Sequence, residues 1–372
     1  MRRIVLLTLI ILSIISVTAM AAEPIKIGVN MEMTGAVAAY GQMGWEGLQV
    51  ASELIPMEVL GRPIELVLVD NKSDRVEAAT ATTRLIERDK VVAIIGTMTS
   101  GNMLAAGAIS ENYKVPMIGP STTNVLVTQG KKFSFRACFR DDYQGQVAAR
   151  FAYNELGART AAVLSDINQD YCVALGKEFV NEFKRLGGRI VAEQYVRTGD
   201  QDFSAQLTIV RNANPAVLYV PNYYTENALI AIQAKSLGIK APILSGDGAD
   251  APELISIGKD AVEGLMHTAF WHEKAATNEL GKQYVEAYRK KYNKEPNAFG
   301  VLAADSLLIV IDAIKRAGST DPVKIRDAME ATNNLDVFTG KVTIQNGDAI
   351  KSVVIREVRN GNFDYMTTVH PD

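Results

Sequence analysis

The sequence predicts an α/β protein built from two doubly wound units, each a parallel sheet with helices on both faces. Three observations carry that expectation. Strand-like and helix-like segments alternate with little deviation from Ile25 onward. The strands are rich in Val and Ile and apolar on both faces, as strands covered from both sides must be. The pattern also restarts near Tyr143, after one complete set. Such alternation implies right-handed crossovers between parallel strands.

The first unit opens with strand "IKIGV" from Ile25 and a helix over Tyr40–Leu54. Strand "IELVLVD" (64–70), helix Val76–Arg88 and strand "VVAIIG" (91–96) come next, then a helix from Ser100 and strand "VPMIGP" (115–120). The second unit starts with helix Tyr143–Leu156, strand "TAAVLS" (160–165), helix Tyr171–Leu186 and strand "RIVAEQYV" (189–196). It continues through helix Phe203–Asn212, strand "AVLYVP" (216–221), helix Thr225–Leu237 and strand "APILSG" (241–246). Gly157, Gly187-Gly188 and Gly238 fall just past helix ends, where a left-handed residue closes the last turn. After "GLMHTAF" (264–270) come helices over Asn278–Tyr292, Phe299–Ala317 and Val323–Ala331, then a strand-rich tail with hairpin turns at Asn346-Gly347 and Asn360-Gly361. The tail is too small to be a domain. It is expected to complete the earlier units, so the chain should cross between them more than once.

The amino terminus reads as an export signal. Met1-Arg2-Arg3 precedes an uncharged run over Ile4–Val17, and Ala19-Met20-Ala21 supplies a small-x-small site. These are the three parts of a secretory signal peptide, with cleavage expected after Ala21. The apolar run is shorter than the roughly 20 residues a spanning helix needs. No cysteine follows the site, so a soluble periplasmic protein is expected rather than a lipoprotein. The remaining chain of roughly 350 residues suggests two domains.

Arg2 and Arg3 belong to this leader, which leaves the rest of the chain more acidic than the overall 39 basic against 42 acidic residues. An acidic chain without a basic stripe is a poor nucleic-acid binder. Nothing points to oligomerisation, and a monomer is expected. Cys138 and Cys172 are the only cysteines. An oxidising compartment would permit a disulfide, but free thiols are the preferred reading.

Ligands of open α/β sheets sit beyond the carboxyl ends of strands, so any chemistry is expected in the turns there. "TGAVAAYG" (34–41) lacks dinucleotide-loop spacing, and no phosphate-loop motif or nucleophile elbow occurs. His267, His272 and His370 are the only histidines and lack metal-ligand spacing. No enzyme, metal or cofactor is expected. The turns contain instead hydroxyls, aromatics and one placed carboxylate. Thr97, Thr99 and Ser100 follow one strand, and Ser121, Thr122 and Thr123 follow another. With free amides at the helix start they would seat an anion. Taken alone, Ser100 reads as a helix N-cap; the second cluster turns the reading toward a carboxylate seat. From the other unit, "SDINQDYC" (165–172), "VPNYYTEN" (220–227) and "LSGDGAD" (244–250) bring Tyr171, Tyr223 and Asp247. Singly these are surface rings and an Asp-Gly turn. Together they form an aromatic wall and a cation receptor.

These turns, in this order, resemble the type I periplasmic binding proteins of ABC transporters, within them the leucine/isoleucine/valine-binding group. The similarity covers essentially the whole exported chain. It includes "IKIGVNMEMTGAVAAYGQMGWEGLQVA", "DNKSD", "VVAIIGTMTSGNMLAAGAI", "VPMIGPSTT", "FRACFRDDYQG", "LSDINQDYCVALGKEF" and "AFGVLAADSLLIVIDAIKRAG". The resemblance implies two Rossmann-like lobes joined by a three-segment hinge, lobe 1 from 22–140 plus 272–350 and lobe 2 from 141–271 plus 351–372, closing on a ligand in the cleft. It implies an aliphatic α-amino acid, branched-chain by the group's name, delivered to a membrane permease.

By the same resemblance, Ser100 binds the ligand carboxylate, Thr123 contacts both carboxylate and ammonium, and Ser121 acts through its backbone. Tyr171 and Tyr223 are cleft aromatics, Asp247 pairs with the ammonium, and Tyr40, Met98 and Phe299 line the side-chain pocket. Three departures stand out, the first being Asp247 where the family often has glutamate, which shortens the reach by one methylene. Cys172 occupies a place where a small residue is usual, and one extra residue lies between Asp166 and Tyr171 relative to the leucine-binding pattern. The alternatives are the same scaffold carrying an amide, urea or aromatic acid, or a ligand sensor for a membrane receptor.

Overall fold

The computed structural model describes residues 22–275 and 278–371; the leader expected over residues 1–21 lies outside them. The first run of elements is β1 (Ile25–Met31), α1 (Ala38–Leu54), β2 (Glu58–Val59), β3 (Arg62–Asp70), α2 (Arg75–Glu87), β4 (Ala93–Gly96), α3 (Ser100–Tyr113), β5 (Met117–Gly119) and β6 (Ser134–Arg136). The second is α4 (Asp141–Arg150), β7 (Thr160–Asp166), α5 (Asp170–Arg185), β8 (Arg189–Val196), α6 (Ser204–Ala213), β9 (Val217–Val220), α7 (Tyr224–Ser236), β10 (Ile243–Ser245), α8 (Pro252–Gly258) and β11 (Met266–Ala269). Helices α9 (Glu279–Tyr292), α10 (Ala298–Ala317) and α11 (Pro322–Glu330) come after these. The chain ends with β12 (Leu335–Val337), β13 (Gly340–Val342), β14 (Ile344–Gln345), β15 (Asp348–Ala349), β16 (Val353–Arg359) and β17 (Asn362–Val369).

Two large sheets result. The first has the order β2-β3-β1-β4-β5-β6-β15-β14, and the second β8-β7-β9-β10-β11-β16-β17. In both, the parallel core runs second, first, third, fourth, fifth strand, with β1 between β3 and β4, and β7 between β8 and β9. That order reverses direction beside the first strand, so each sheet has a switch point where helices diverge and leave a crevice. The tail completes both sheets, as expected. β15 adds parallel to β6, whereas β16 adds antiparallel to β11. The chain therefore passes between sheets after β6, after β11 and between β15 and β16. The β14–β15 and β16–β17 hairpins turn on Asn-Gly, with positive φ at Asn346, Gly347, Asn360 and Gly361, the geometry a twisted two-residue hairpin selects, while β12 and β13 pair antiparallel by themselves.

Element ends differ from the sequence reading by one or two residues, where end geometry rather than pattern decides. The helix expected over Tyr143–Leu156 is α4 followed by a π-helical turn over Phe151–Glu155. Gly157, Gly187 and Gly238 take positive φ; Gly188 does not. Helix α8 was not foreseen, because its seven residues are too few to display a period. Cys138 and Cys172 are both free and buried, and burial pushes both thiols up. No helix among the described residues is long and apolar enough to cross a membrane.

One close approach positions the cleft. Helices α1 and α10 meet backbone to backbone at Gly47, where a Cβ would lie 1.9 Å from Gly300 O. Only glycine permits that contact. It brings Tyr40 of α1 and Phe299 of α10 into a stack, their ring centroids 4.4 Å apart.

Candidate ligand site in the interlobe cleft

At the switch point of the first sheet, β1 runs into Glu32 and β4 into the turn Thr97–Thr99. Gly96 makes the turn possible. It holds φ +123°, and a Cβ there would collide with Asn30 O at 1.9 Å. Glu32 is fully buried and organises this turn. Its carboxylate accepts from Met98 N (2.9 Å), Thr99 N (3.2 Å), Thr99 Oγ1 (2.8 Å) and Asn102 Nδ2 (2.9 Å). Burial raises the Glu32 carboxyl while these donors pull it back. The amides of Met98 and Thr99 are therefore already engaged. The start of α3 remains for a ligand, since its first N–H groups have no acceptor within the helix.

The N-cap reading of Ser100 is corrected. The cap position is Thr99, and Ser100 is the first residue of α3. Ser100 Oγ accepts from Asn124 N at 3.2 Å. A hydroxyl that accepts this way keeps its own proton to donate. Ser121, in contrast, donates its hydroxyl proton to Met98 O at 2.7 Å, which leaves it no side-chain proton for a ligand carboxylate. The second turn is held by Arg136, a fully buried guanidinium. It donates to Thr122 O and Asn124 O, both at 2.9 Å, and pairs with Asp348 of the tail hairpin at 2.7 Å.

Across the cleft, the second sheet's switch point supplies Tyr171 from α5 and Tyr223 from the cap of α7. Their rings stack with centroids 5.4 Å apart and planes 6° apart. Tyr40 packs edge-on to Tyr223 at 5.7 Å. Tyr223 Oη makes no hydrogen bond among the described residues. Asp247 opens a 3₁₀ turn after β10 and is buried. Its carboxylate accepts from Gln144 Nε2 and forms no ion pair among the described residues. Burial pushes its pKa up to about 7, against the pull of Gln144 and Tyr171. Behind it lies Asp141, fully buried at the start of α4, whose N–H donates to Thr123 O at 2.9 Å. Burial and the neighbouring Asp247 charge raise Asp141 well above the usual carboxylate range.

Eight of the nine residues singled out in the sequence line one small cavity: Tyr40, Met98, Ser100, Ser121, Tyr171, Tyr223, Asp247 and Phe299. Thr99 and Gly248 complete its wall, and the cavity is small, about 10 Å³. Thr123 is buried beside the cavity, with Asp141, rather than on its wall. The cleft is closed, with Tyr40 Oη donating to Gly248 O at 2.5 Å and Tyr224 Oη to Ala36 O at 3.2 Å. Glu32, Asp141 and Gln144 were missed as site residues. A lone Glu directly after an apolar strand, in "VNMEMTG", was the available signal. Nothing local in "FRDDYQG" marks Asp141 as buried.

The pattern model for the family described as "Periplasmic binding protein" matches residues 24–362. The chain belongs to that family. This binding protein is 32% identical, over 87% of its length and 86% of the relative's, to the leucine-, isoleucine-, valine-, threonine- and alanine-binding protein of Pseudomonas aeruginosa. Among solved structures it is similar to the leucine-binding protein LivK of Thermotoga maritima. Identity there is 49%, the TM-score 0.92, and coverage 94% of this chain and 99% of that one. It is also similar to the branched-chain amino acid transporter substrate-binding protein LivJ of Streptococcus pneumoniae, solved with isoleucine. That match has 32% identity, a TM-score of 0.89 and coverage of 94% and 100%. The family and these relatives are substrate-binding proteins rather than enzymes, and the chain is a periplasmic binding protein of the ABC-transporter type.

Proposed function

We propose that this protein captures an aliphatic, branched-chain α-amino acid in the cleft and delivers it to a membrane permease. The supporting observation is the placement of opposite chemistries on opposite lobes. Ser100 Oγ and the α3 amides offer donors from one side, and Asp247 offers a buried, unpaired carboxylate from the other. A zwitterion meets both, whereas an amide or urea would leave Asp247 buried without a cation, which costs several kcal/mol. Aromatic and Met side chains around Tyr40, Met98 and Phe299 suit an apolar side chain rather than a polar one. A ligand held by both lobes favours the closed form by its differential affinity. In this reading lobe 1 comprises 22–140 and 272–350, lobe 2 comprises 141–271 and 351–372, and residues 1–21 direct export of a monomer.

The test is calorimetric titration of unfolded and refolded protein, free of carried-over ligand, with Leu, Ile, Val, Ala, Phe, leucinamide and isobutyramide. Micromolar or tighter binding of a branched-chain amino acid, about −8 kcal/mol or better, with leucinamide rejected, is the expected result. Preference for isobutyramide over every amino acid would refute it.

Binding should also depend on pH. An ammonium is paired only by ionised Asp247, which in the ligand-free site holds its proton up to about pH 7. Capture below that pH must therefore expel a proton. Affinity should fall about 20-fold between pH 7.5 and 5.5, with no further gain above about pH 8. Titrations at about pH 6 in two buffers of different ionisation enthalpy should report proton release. A flat profile would mean that Asp247 does not face the ammonium.

A further inference from the structure

We infer that Arg75 and Asn124 are positioning residues that latch the closed cleft by gripping the turn Asp166–Asp170 of the opposite lobe. The inference rests on reading the cleft as the ligand site and deepens it. Arg75 is the first residue of α2, set by the capping carboxylate of Asp74, which accepts from Val76 N and Glu77 N. Its guanidinium lies over Gly101 in the first turn of α3, where a Cβ would come within 3.0 Å of Nη2. From there it crosses the cleft. Nη2 donates to Asn168 O at 3.1 Å and pairs with the Asp170 carboxylate at 2.8 Å. Asn124 makes a second crossing, with Nδ2 donating to Asp170 O at 2.9 Å.

The gripped turn is prepared to receive them. Asp166 N donates to Asn222 Oδ1, and Asn168 N to Asp166 Oδ1, both at 2.8 Å. Both ends of the latch adjoin ligand-cavity residues. Asp170 immediately precedes Tyr171 in α5, and Asn124 N donates to Ser100 Oγ. When the lobes part, all three cross-cleft contacts break together. They therefore stabilise the closed state, in which ligand is trapped, and slow ligand escape without steering ligand entry.

The experiment is stopped-flow binding and release of L-leucine, L-isoleucine and L-valine with wild type, Arg75→Ala, Arg75→Lys, Gly101→Ala and Asp247→Asn. Arg75→Ala is expected to release ligand about 5-fold faster, the scale of a half-exposed ion pair plus a hydrogen bond, with association unchanged within about twofold. Gly101→Ala, whose methyl would press on the guanidinium at 3.0 Å, should move release in the same direction but by less, and Arg75→Lys should recover much of the loss. An unchanged association rate separates the latch from a merely structural role, which would move both rates. Unchanged release in Arg75→Ala, while Asp247→Asn still abolishes binding, overturns the latch and leaves the cleft reading intact. If none of the three amino acids binds wild type, both are overturned.

Discussion

Replacing Asp247 by asparagine is expected to remove amino-acid binding while making the ligand-free protein more stable. The two effects share one cause. Asp247 is buried without an ion-pair partner among the described residues, and burial carries its pKa to about 7. A carboxyl whose pKa is raised on folding contributes stability below its unfolded pKa, near about 4, and loses it progressively as pH rises to about 7. At about pH 8 the ionised carboxylate is therefore a burden on the empty site. The neutral amide removes that burden and still accepts from Gln144. The bound ammonium, however, loses its counter-charge inside a closed cavity, a loss of about 3–5 kcal/mol. Titration should show a fall in affinity of two orders of magnitude or more, and thermal unfolding at about pH 8 a higher midpoint. A loss below about 1 kcal/mol, the range of exposed pairs, would mean that the ammonium lies elsewhere.

The second large effect is expected at Glu32, which never touches the cavity. Glu32→Gln preserves shape but exchanges one acceptor oxygen for an NH₂ group. Met98 N faces one carboxylate oxygen, and Thr99 N, Thr99 Oγ1 and Asn102 Nδ2 face the other. The backbone and Asn102 groups can only donate, so either flip of the amide sets donor against donor. Leaving buried donors unsatisfied costs about 1–3 kcal/mol each, so a stability loss of about 2–4 kcal/mol is expected in denaturant unfolding. Because Glu32 holds the turn leading into Ser100, affinity should fall too, even well below the melting transition. Normal affinity with reduced stability would show that the seat is positioned by Arg136 and α3 alone.

Arg136 shows why distant sequence matters here. It clamps the Thr122–Asn124 turn only because Asp348, on a two-residue strand of the tail, neutralises it inside the protein. No pattern links positions 136 and 348 in the chain. The same holds for Gly47 and Gly300, whose contact sets the Tyr40–Phe299 stack.

Much of the protein was nevertheless legible from residues alone. The strand-period and helix-period runs, the Asn-Gly hairpins and the hydroxyl-rich turns after strands are local properties, dictated by backbone sterics and burial of apolar faces. They announce two parallel sheets and the turns Thr97–Ser100, Ser121–Thr123 and Tyr223. Tertiary structure alone decided which of those groups are free to meet a ligand. Glu32 takes the amides of Met98 and Thr99, Ser121 spends its hydroxyl on Met98 O, and Thr123 lies beside the cavity with Asp141. Sequence places a donor or an acceptor at a strand end. Only the packed interior, where every buried polar group must find a partner, determines which one is left over.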